Sequence, residues 1–372
     1  MNTHLPEAAS APVSNPSPIP WNTEAVQRFA TAVGGDVSTD DYGPEIGFAA
    51  LTSGVLPQAG FIAPLADFGR IEVSGAEGTK FLHGQLTQDI EHLAPGAARW
   101  AGYCSAKGRL LATLRCWRDD DAVQLLVSRP IAQALAKRLS MFVLRAKARV
   151  QDRSDDSVVF GLCGDRAGQA VAQAFSLTAP SAQAAHSLQG RHLVALPELS
   201  IGEGPALPRW LLVVSQDEAQ ATWSTLANSL AAVDSATWRR TEVLCGIPRI
   251  VSATSERFVP QMINYESVDG VNFTKGCYPG QEVVARSQYL GKLKRRMYRG
   301  HLIGDEPQPG ADVLSGTDGQ ACGQIVLAAP DGIGGVDLLF ESQTDAVLAG
   351  GLRTLSADIS LRELPYLLKS ID

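Results

Sequence analysis

The sequence predicts an α+β fold built in layers, and three patterns predict it. Between Gly69 and Asp152 the elements run roughly βαβββαβ, an order that suits mixed layers better than one parallel sheet. A similar order recurs from Ser157 to Leu230 with no repeat in the residues themselves. From Met297 onward, short strands alternate with Gly, Pro and Asp turns, as in a small barrel.

The elements follow in order. Residues 1–20, rich in Pro, Ala and Ser, are expected to be disordered. A short helical pattern near Glu24–Val33 is followed by expected loop, with order tightening at Pro64. Gly69–Val73 suits a strand, and Gly75–Leu93 has helical spacing through Phe81, Leu82, Leu86 and Ile90. Trp100–Ser105 and Leu110–Trp117 read as strands joined by a hairpin turn at Ala106-Lys107-Gly108. Val123–Ser128 is a strand, Pro130–Phe142 an amphipathic helix, and Ala146–Asp152 a returning strand. The second unit reads as strand Ser157–Cys163, helix Arg166–Phe175, strands His192–Leu196 and Trp210–Ser215, and helix Asp217–Leu230.

Bulk properties narrow the function. The 372 residues suffice for two or three cores, with 45% hydrophobic and 19% charged residues. A net charge of -7 argues against general nucleic-acid binding. The six cysteines, Cys104, Cys116, Cys163, Cys245, Cys277 and Cys322, form no CxxC pair and no metal-ligand spacing, so no metal site is expected. They read as reduced thiols of a cytoplasmic protein. No segment has the roughly 20 apolar residues of a membrane span, and the first basic residue after the start is Arg28, unlike a targeting peptide. The six histidines show no HxxxH or triad spacing, so none is assigned to catalysis. Asp119–Asp121 reads as a hairpin turn and Asp331–Gly335 as turn chemistry.

The segment NFTKGCYPGQEVVARSQYL, Asn272–Leu290, concentrates unusual residues. Pro279 stands where a helix would begin, Glu282 lies in its first turn, and Arg286 follows four residues on, in pairing distance. Cys277 therefore precedes a helix N-terminus and lies close to Lys275, two features that raise a thiol's thiolate fraction. Apolar burial would make the same thiol inert.

Here a specific resemblance enters. Lys275-Gly276-Cys277-Tyr278-Pro279-Gly280-Gln281-Glu282 resembles the KGCYxGQE signature of the YgfZ folate-binding family, itself related to the T-protein (aminomethyltransferase) of glycine cleavage. Phe81–Asp89, FLHGQLTQD, resembles the family's YLQGQ-x-T-x-D stretch, and Cys104–Arg109 its C-x-AKG-(K/R) hairpin. Gly246-Ile247-Pro248 resembles its GxP run, and Phe258–Asn264 its F(I/V)PQxxN run. The resemblance implies a three-domain T-protein-like ring with two α+β (ferredoxin-like) layers and a small C-terminal β-barrel. It also implies a bound tetrahydrofolate or another reduced folate, and a role in making or repairing iron–sulfur proteins, including those linked to tRNA modification.

The expected site follows. Cys277 is the reactive group, with Lys275 beside it. A carboxylate can accept from the donor edge of a pterin, as it does from donor edges of bases, and Glu282 and Asp89 are the candidates. Asp89 also suits a turn, and Glu282 a helix-dipole partner. Phe68 and Trp238 align with cavity-lining tryptophans of the family, although core packing is the ordinary use of such rings. Tyr278 adds a ring or hydroxyl, and Gly280 lets the backbone approach a ligand. The resemblance also assigns Gln85, Gln261, Asn264 and Gln281 to folate. Arg286, Lys292, Lys294, Arg295 and Arg296 form a basic cluster that could hold an anionic glutamate tail or simply face solvent.

The sequence also departs from the T-protein. Ala112 and Thr113 stand where the T-protein has an acidic pair, Cys277 where it has Asp, and Gln281 where it has Arg. The site has lost carboxylates and acquired a thiol, which argues against glycine cleavage. The favoured expectation is a folate-binding accessory protein whose partners are iron–sulfur clients or assembly factors. Cys277 would form a transient mixed disulfide or hand on sulfur or iron. A folate-dependent one-carbon transferase and a folate-free scaffold are the alternatives. The expected divisions are a poorly ordered extension over 1–58, a first folate-binding lobe over 59–153, a second lobe over 154–235, a motif-bearing connector over 236–296 and a barrel over 297–372.

Overall fold

The computed structural model describes residues 23–119, 122–202, 204–289, 293–316 and 319–368. The first 22 residues, Asp120, Asp121 and Lys292 therefore lie outside the described part. The architecture is mixed α and β, as the sequence predicts, and rests on three larger sheets and one hairpin.

The first sheet has the spatial order Ala98–Cys104, Leu110–Arg118, Ala122–Ser128, Phe68–Ser74, Arg149–Asp152. Phe68–Ser74 alternates along its length, sending Ile71 and Val73 into the core. The helix Arg129–Val143 starts directly after Ser128 with Pro130 in its first turn, and lays Ala132, Leu135 and Leu139 on the same core.

The second sheet has the order Ala185–Leu188, Arg191–Leu199, Leu207–Ser215, Ser157–Cys163, Phe61–Pro64, Ala231–Ala232. Ser157–Cys163, a nearly continuous apolar run, is buried between neighbours on both sides. Phe61–Pro64 pairs with it, so this strand belongs to the second sheet and not to the lobe in which the sequence placed it. The third sheet, Asp312–Leu314, Ala321–Pro330, Gly335–Gln343, Arg295–Ile303, Ser360–Arg362, takes the place of the expected closed barrel. Its ladder stays open among the described residues, with only isolated bridges, Leu314 to Arg353 and Arg353 to Asp358, reaching across.

Two expectations about the N-terminal third need correction. Order begins well before Pro64. The helix Thr23–Ala32 puts Val26, Phe29 and Ala30 into the second sheet's core, and the expected loop holds a hairpin, Asp36–Asp40 with Gly43–Gly47. Its outer strand is polar, so no apolar alternation announced it. The expected helix Gly75–Leu93 is helical only over Gly78–His83. Leu86 and Ile90 are buried as predicted, but Leu86 bridges to Tyr103 and the Thr87 carbonyl accepts from Asn272 N. Long-range pairing there replaces the next helical turn.

The helix Ser235–Leu244 threads between these units. Asp234 caps it, accepting from Thr237 N at 2.7 Å. Almost every residue of it is buried, including Trp238, Arg239 and Glu242. Arg239 donates to Ala328 O at 2.7 Å and pairs with Glu306 at 2.9 Å and with Glu45, while its guanidinium lies over Tyr42. A buried arginine is tolerated only with such a set of partners, and this set ties the N-terminal hairpin to the third sheet.

Candidate functional site

Three of the motif runs converge. The side chain of Asn272 accepts from Thr274 N, Thr274 Oγ1 and Lys275 N at 2.9–3.0 Å, which curls the chain ahead of Cys277. Lys275 then turns inward, and its Nζ donates to Leu86 O at 2.8 Å and to His83 O. Thr87 Oγ1 donates to Gly270 O and accepts from Gly102 N, both at 2.6 Å. The loop before the cysteine is thus stitched to the Phe81–Asp89 run.

The third contact is made by glycines. Gly280 has φ +79, and a Cβ on it would meet Ser105 O at 2.4 Å and Gly108 N at 2.5 Å. Gly108, at φ +71, closes the Ala106-Lys107-Gly108 turn against Val283. Only two residues without side chains allow the hairpin and the Pro279-Gly280 turn to meet this closely. The helix that follows spans Gln281–Tyr289, so it starts two residues after Pro279 rather than at it.

Cys277 is exposed, whereas Cys104, Cys116, Cys163, Cys245 and Cys322 are buried. Burial pushes the Cys104, Cys116 and Cys163 thiols up to about 12. Lys275 is buried behind the loop, and desolvation brings its ammonium down to about 8 against the opposing pull of Asp89 and Cys277. Its task is to anchor the loop through two carbonyls. Tyr278 is buried with Lys275 Nζ 4.9 Å from its ring centroid, and burial raises its hydroxyl far above the usual range.

Several residues expected to contact folate have protein partners in the structure. Glu282 is 87% exposed and pairs with Arg286 at 3.3 Å in the first helical turn. Asp89 lies between two histidines, 3.0 Å from His83 Nδ1 and 2.9 Å from His92 Nδ1, and accepts from His92 N. Burial works to raise its carboxyl, and the His92 and His83 hydrogen bonds outweigh that and hold it below the ordinary range. Gln261 Nε2 donates to Val284 O and Asn264 Nδ2 to Met297 O, both at 2.8 Å, so the two brace the framework. Trp238 is 1% exposed, with the Gly161 backbone against its ring and Arg209 4.7 Å from its centroid, which is core packing. Phe68 is half-buried under Arg249. Gln85 is half-buried, its Oε1 without a partner, and Gln281 is half-buried at the helix start. The basic cluster disperses: Arg295 pairs with Glu341 and Arg296 with Glu266, while Lys294 and Arg286 are exposed.

Sequence reasoning missed two groups. One is the set Asp67, Arg249 and Glu242, all buried, with Arg249 2.5 Å from Asp67 and 3.4 Å from Glu242. Burial raises the Glu242 carboxyl, with Arg249 opposing. Asp67 Oδ1 has no hydrogen-bond partner, and Glu242 Oε2 and Arg249 Nη2 meet only each other, in the 3.4 Å ion pair; a buried atom such as Asp67 Oδ1 calls for a partner. The signal was present: Glu242 and Arg249 flank the apolar run Val243–Pro248. The other group is His83 with Asp89, which no fixed spacing encodes. Among the described residues no set of histidine, cysteine and carboxylate side chains is arranged to hold a metal ion, and no helix is long and apolar enough to cross a membrane.

The backbone resembles that of one class of solved protein. The glycine cleavage system aminomethyltransferase T of Bartonella henselae superposes with a TM-score of 0.67 over 94% of this chain and 99% of its own, at 14% identity. The fold is therefore that of the aminomethyltransferase T class. The sequence narrows it further. The tRNA-modifying protein YgfZ of Edwardsiella ictaluri is 32% identical over 315 residues, 81% of this chain and 91% of its own. That of Colwellia psychrerythraea is 29% identical over 318 residues, 84% and 95%. The chain belongs to the YgfZ family. No family model matches it.

Proposed function

We propose that the chain binds a reduced folate, tetrahydrofolate or a close relative of it, and serves the assembly or repair of iron–sulfur proteins through Cys277. One observation carries the reading: the exposed thiol stands on a loop to which one motif run is hydrogen-bonded and against which another is packed, while the remaining cysteines are buried. A rigid support for one accessible sulfur is what a reactive cysteine needs.

The buried polar set supports the folate half. A pterin edge offers adjacent N–H donors, and the buried Asp67 Oδ1, which has no partner, and Glu242 Oε2, held only by the 3.4 Å ion pair to Arg249, are suited to accept them. Arg249, already held by both carboxylates and lying over Phe68, would fix their orientation. These two carboxylates replace Glu282 and Asp89 in the proposed contact. A bound reduced folate supplies a pterin able to carry a one-carbon unit.

One-carbon transfer by the T-protein route is not favoured, because Ala112 and Thr113 are buried at the acidic positions and Thr113 Oγ1 accepts from Ile250 N at 3.0 Å. The relatives' name speaks of tRNA modification. An iron–sulfur client that modifies tRNA would reconcile that name with a chain of net charge -7. The test is Cys277→Ala in cells lacking the protein. It should keep the wild-type melting temperature and folate affinity while failing to restore iron–sulfur enzyme activity. Full restoration would remove the thiol from the mechanism.

A further inference from the structure

We propose that His83, oriented by Asp89, is the base that takes the proton of Cys277. The inference deepens the reading of Cys277 as the reactive group and rests on it. Two loops make the site. His83 ends the helix Gly78–His83, and its Nδ1 lies 3.0 Å from Asp89 Oδ1. Its other nitrogen faces the cysteine loop: a Cβ on Gly276 would meet His83 Nε2 at 3.2 Å, one residue before Cys277. The His83 carbonyl accepts from Lys275 Nζ, so the same residue holds the loop on the other side of Gly276.

The roles follow from the chemistry. A carboxylate on Nδ1 fixes the tautomer that carries its proton there, which leaves Nε2 as the acceptor. The Cys277 proton passes from Sγ to Nε2, giving a thiolate and an imidazolium, and Asp89 stabilises the imidazolium. The charged groups facing the ring are Asp89 and His92 from its own loop, with the two histidine rings 6.3 Å apart edge to face, and Lys275 and Cys277 from the opposite loop. No hydrogen bond joins Sγ to Nε2 in the free protein; such bonds commonly tighten only when substrate arrives. The family stretch that Phe81–Asp89 resembles has Gln where this chain has His83, so the base is a feature of this chain within the family pattern.

The test is the pH dependence of alkylation by iodoacetamide, in which the sulfur–carbon bond forms and iodide leaves. The full chain suits it because the other cysteines are buried. Cys277→Ser assigns the fast phase. An unassisted thiol is only a few per cent ionised at pH 7, so His83→Gln should slow alkylation there by about tenfold, and Asp89→Asn by about threefold. Both differences should close above about pH 9.5, where the thiol ionises unaided. A positional role alone would slow the reaction equally at every pH. Equal rates at pH 7 in wild type and His83→Gln, or a pH-independent slowing, overturns the proposal. If His83→Gln does not fold, Asp89→Asn decides by the same criteria. An unchanged profile beside loss of rescue in Cys277→Ala rejects the base and keeps the thiol. Full rescue by Cys277→Ala rejects the thiol's role whatever the alkylation rates.

Discussion

Gly280→Ala isolates the contact that joins the cysteine loop to the hairpin. Two costs apply. The residue has φ +79, and a left-handed alanine costs about 1–2 kcal/mol. The new Cβ would also stand 2.4 Å from Ser105 O, 2.5 Å from Gly108 N and 2.6 Å from Gly108 Cα. All three are backbone atoms, so the two turns must part; overpacking of this kind costs about 1–3 kcal/mol. The reduced entropy of the unfolded chain returns about 0.4–1 kcal/mol, leaving a destabilisation of about 1–5 kcal/mol. Urea denaturation of wild type and variant measures it. Gly276→Ala is the control, because its φ is not positive and its new neighbour is the tip of the His83 side chain at 3.2 Å; a loss below about 1 kcal/mol is expected there. A loss below about 1 kcal/mol for Gly280→Ala would refute the argument that the two glycines set the spacing.

Lys275→Met should lower stability near pH 7, because it leaves the carbonyls of His83 and Leu86 without their charged donor, at a cost of about 1–3 kcal/mol. Burial brings Lys275 down to about 8, below its unfolded value, so the unfolded chain binds more protons between about pH 8 and 10.5. Wild type should therefore become more stable relative to Lys275→Met as pH rises through that window; paired thermal melts that stay parallel would contradict it. Arg249→Met should destabilise by about 3–5 kcal/mol, since it leaves Asp67 and Glu242 buried without their cation. Adding Glu242→Gln should return part of that loss, and denaturation curves of the single and double variants would show whether it does.

Local pattern made much of the fold legible. Ser157–Cys163 and Leu110–Arg118 announce themselves as apolar runs between turns, and the observed strands begin within a few residues of the expected positions. The hairpin Asp36–Gly47 was invisible because its outer strand is polar and its register is held from afar, with Ser235 Oγ accepting from Ile46 N. The segment after His83 misled because burial of Leu86 and Ile90 mimics a helical face, whereas hydrogen bonds to Gly102, Gly270 and Asn272 set its path. The site divides the same way. Cys277 was readable because Lys275 and the helix start that surround it are its neighbours in sequence. The Arg249–Asp67 pair spans 182 positions, and no short motif records it. Glu282 lies in a first helical turn, as its place after Pro279 suggested, and that turn faces water.

A calorimetric titration of tetrahydrofolate into wild type and Glu242→Gln tests folate recognition by the buried carboxylates most directly. Wild type should show one saturable site per chain, and the variant an affinity at least about tenfold weaker, the loss of about one charge-assisted hydrogen bond. No saturable heat in wild type, or equal affinity in the two proteins, would contradict it.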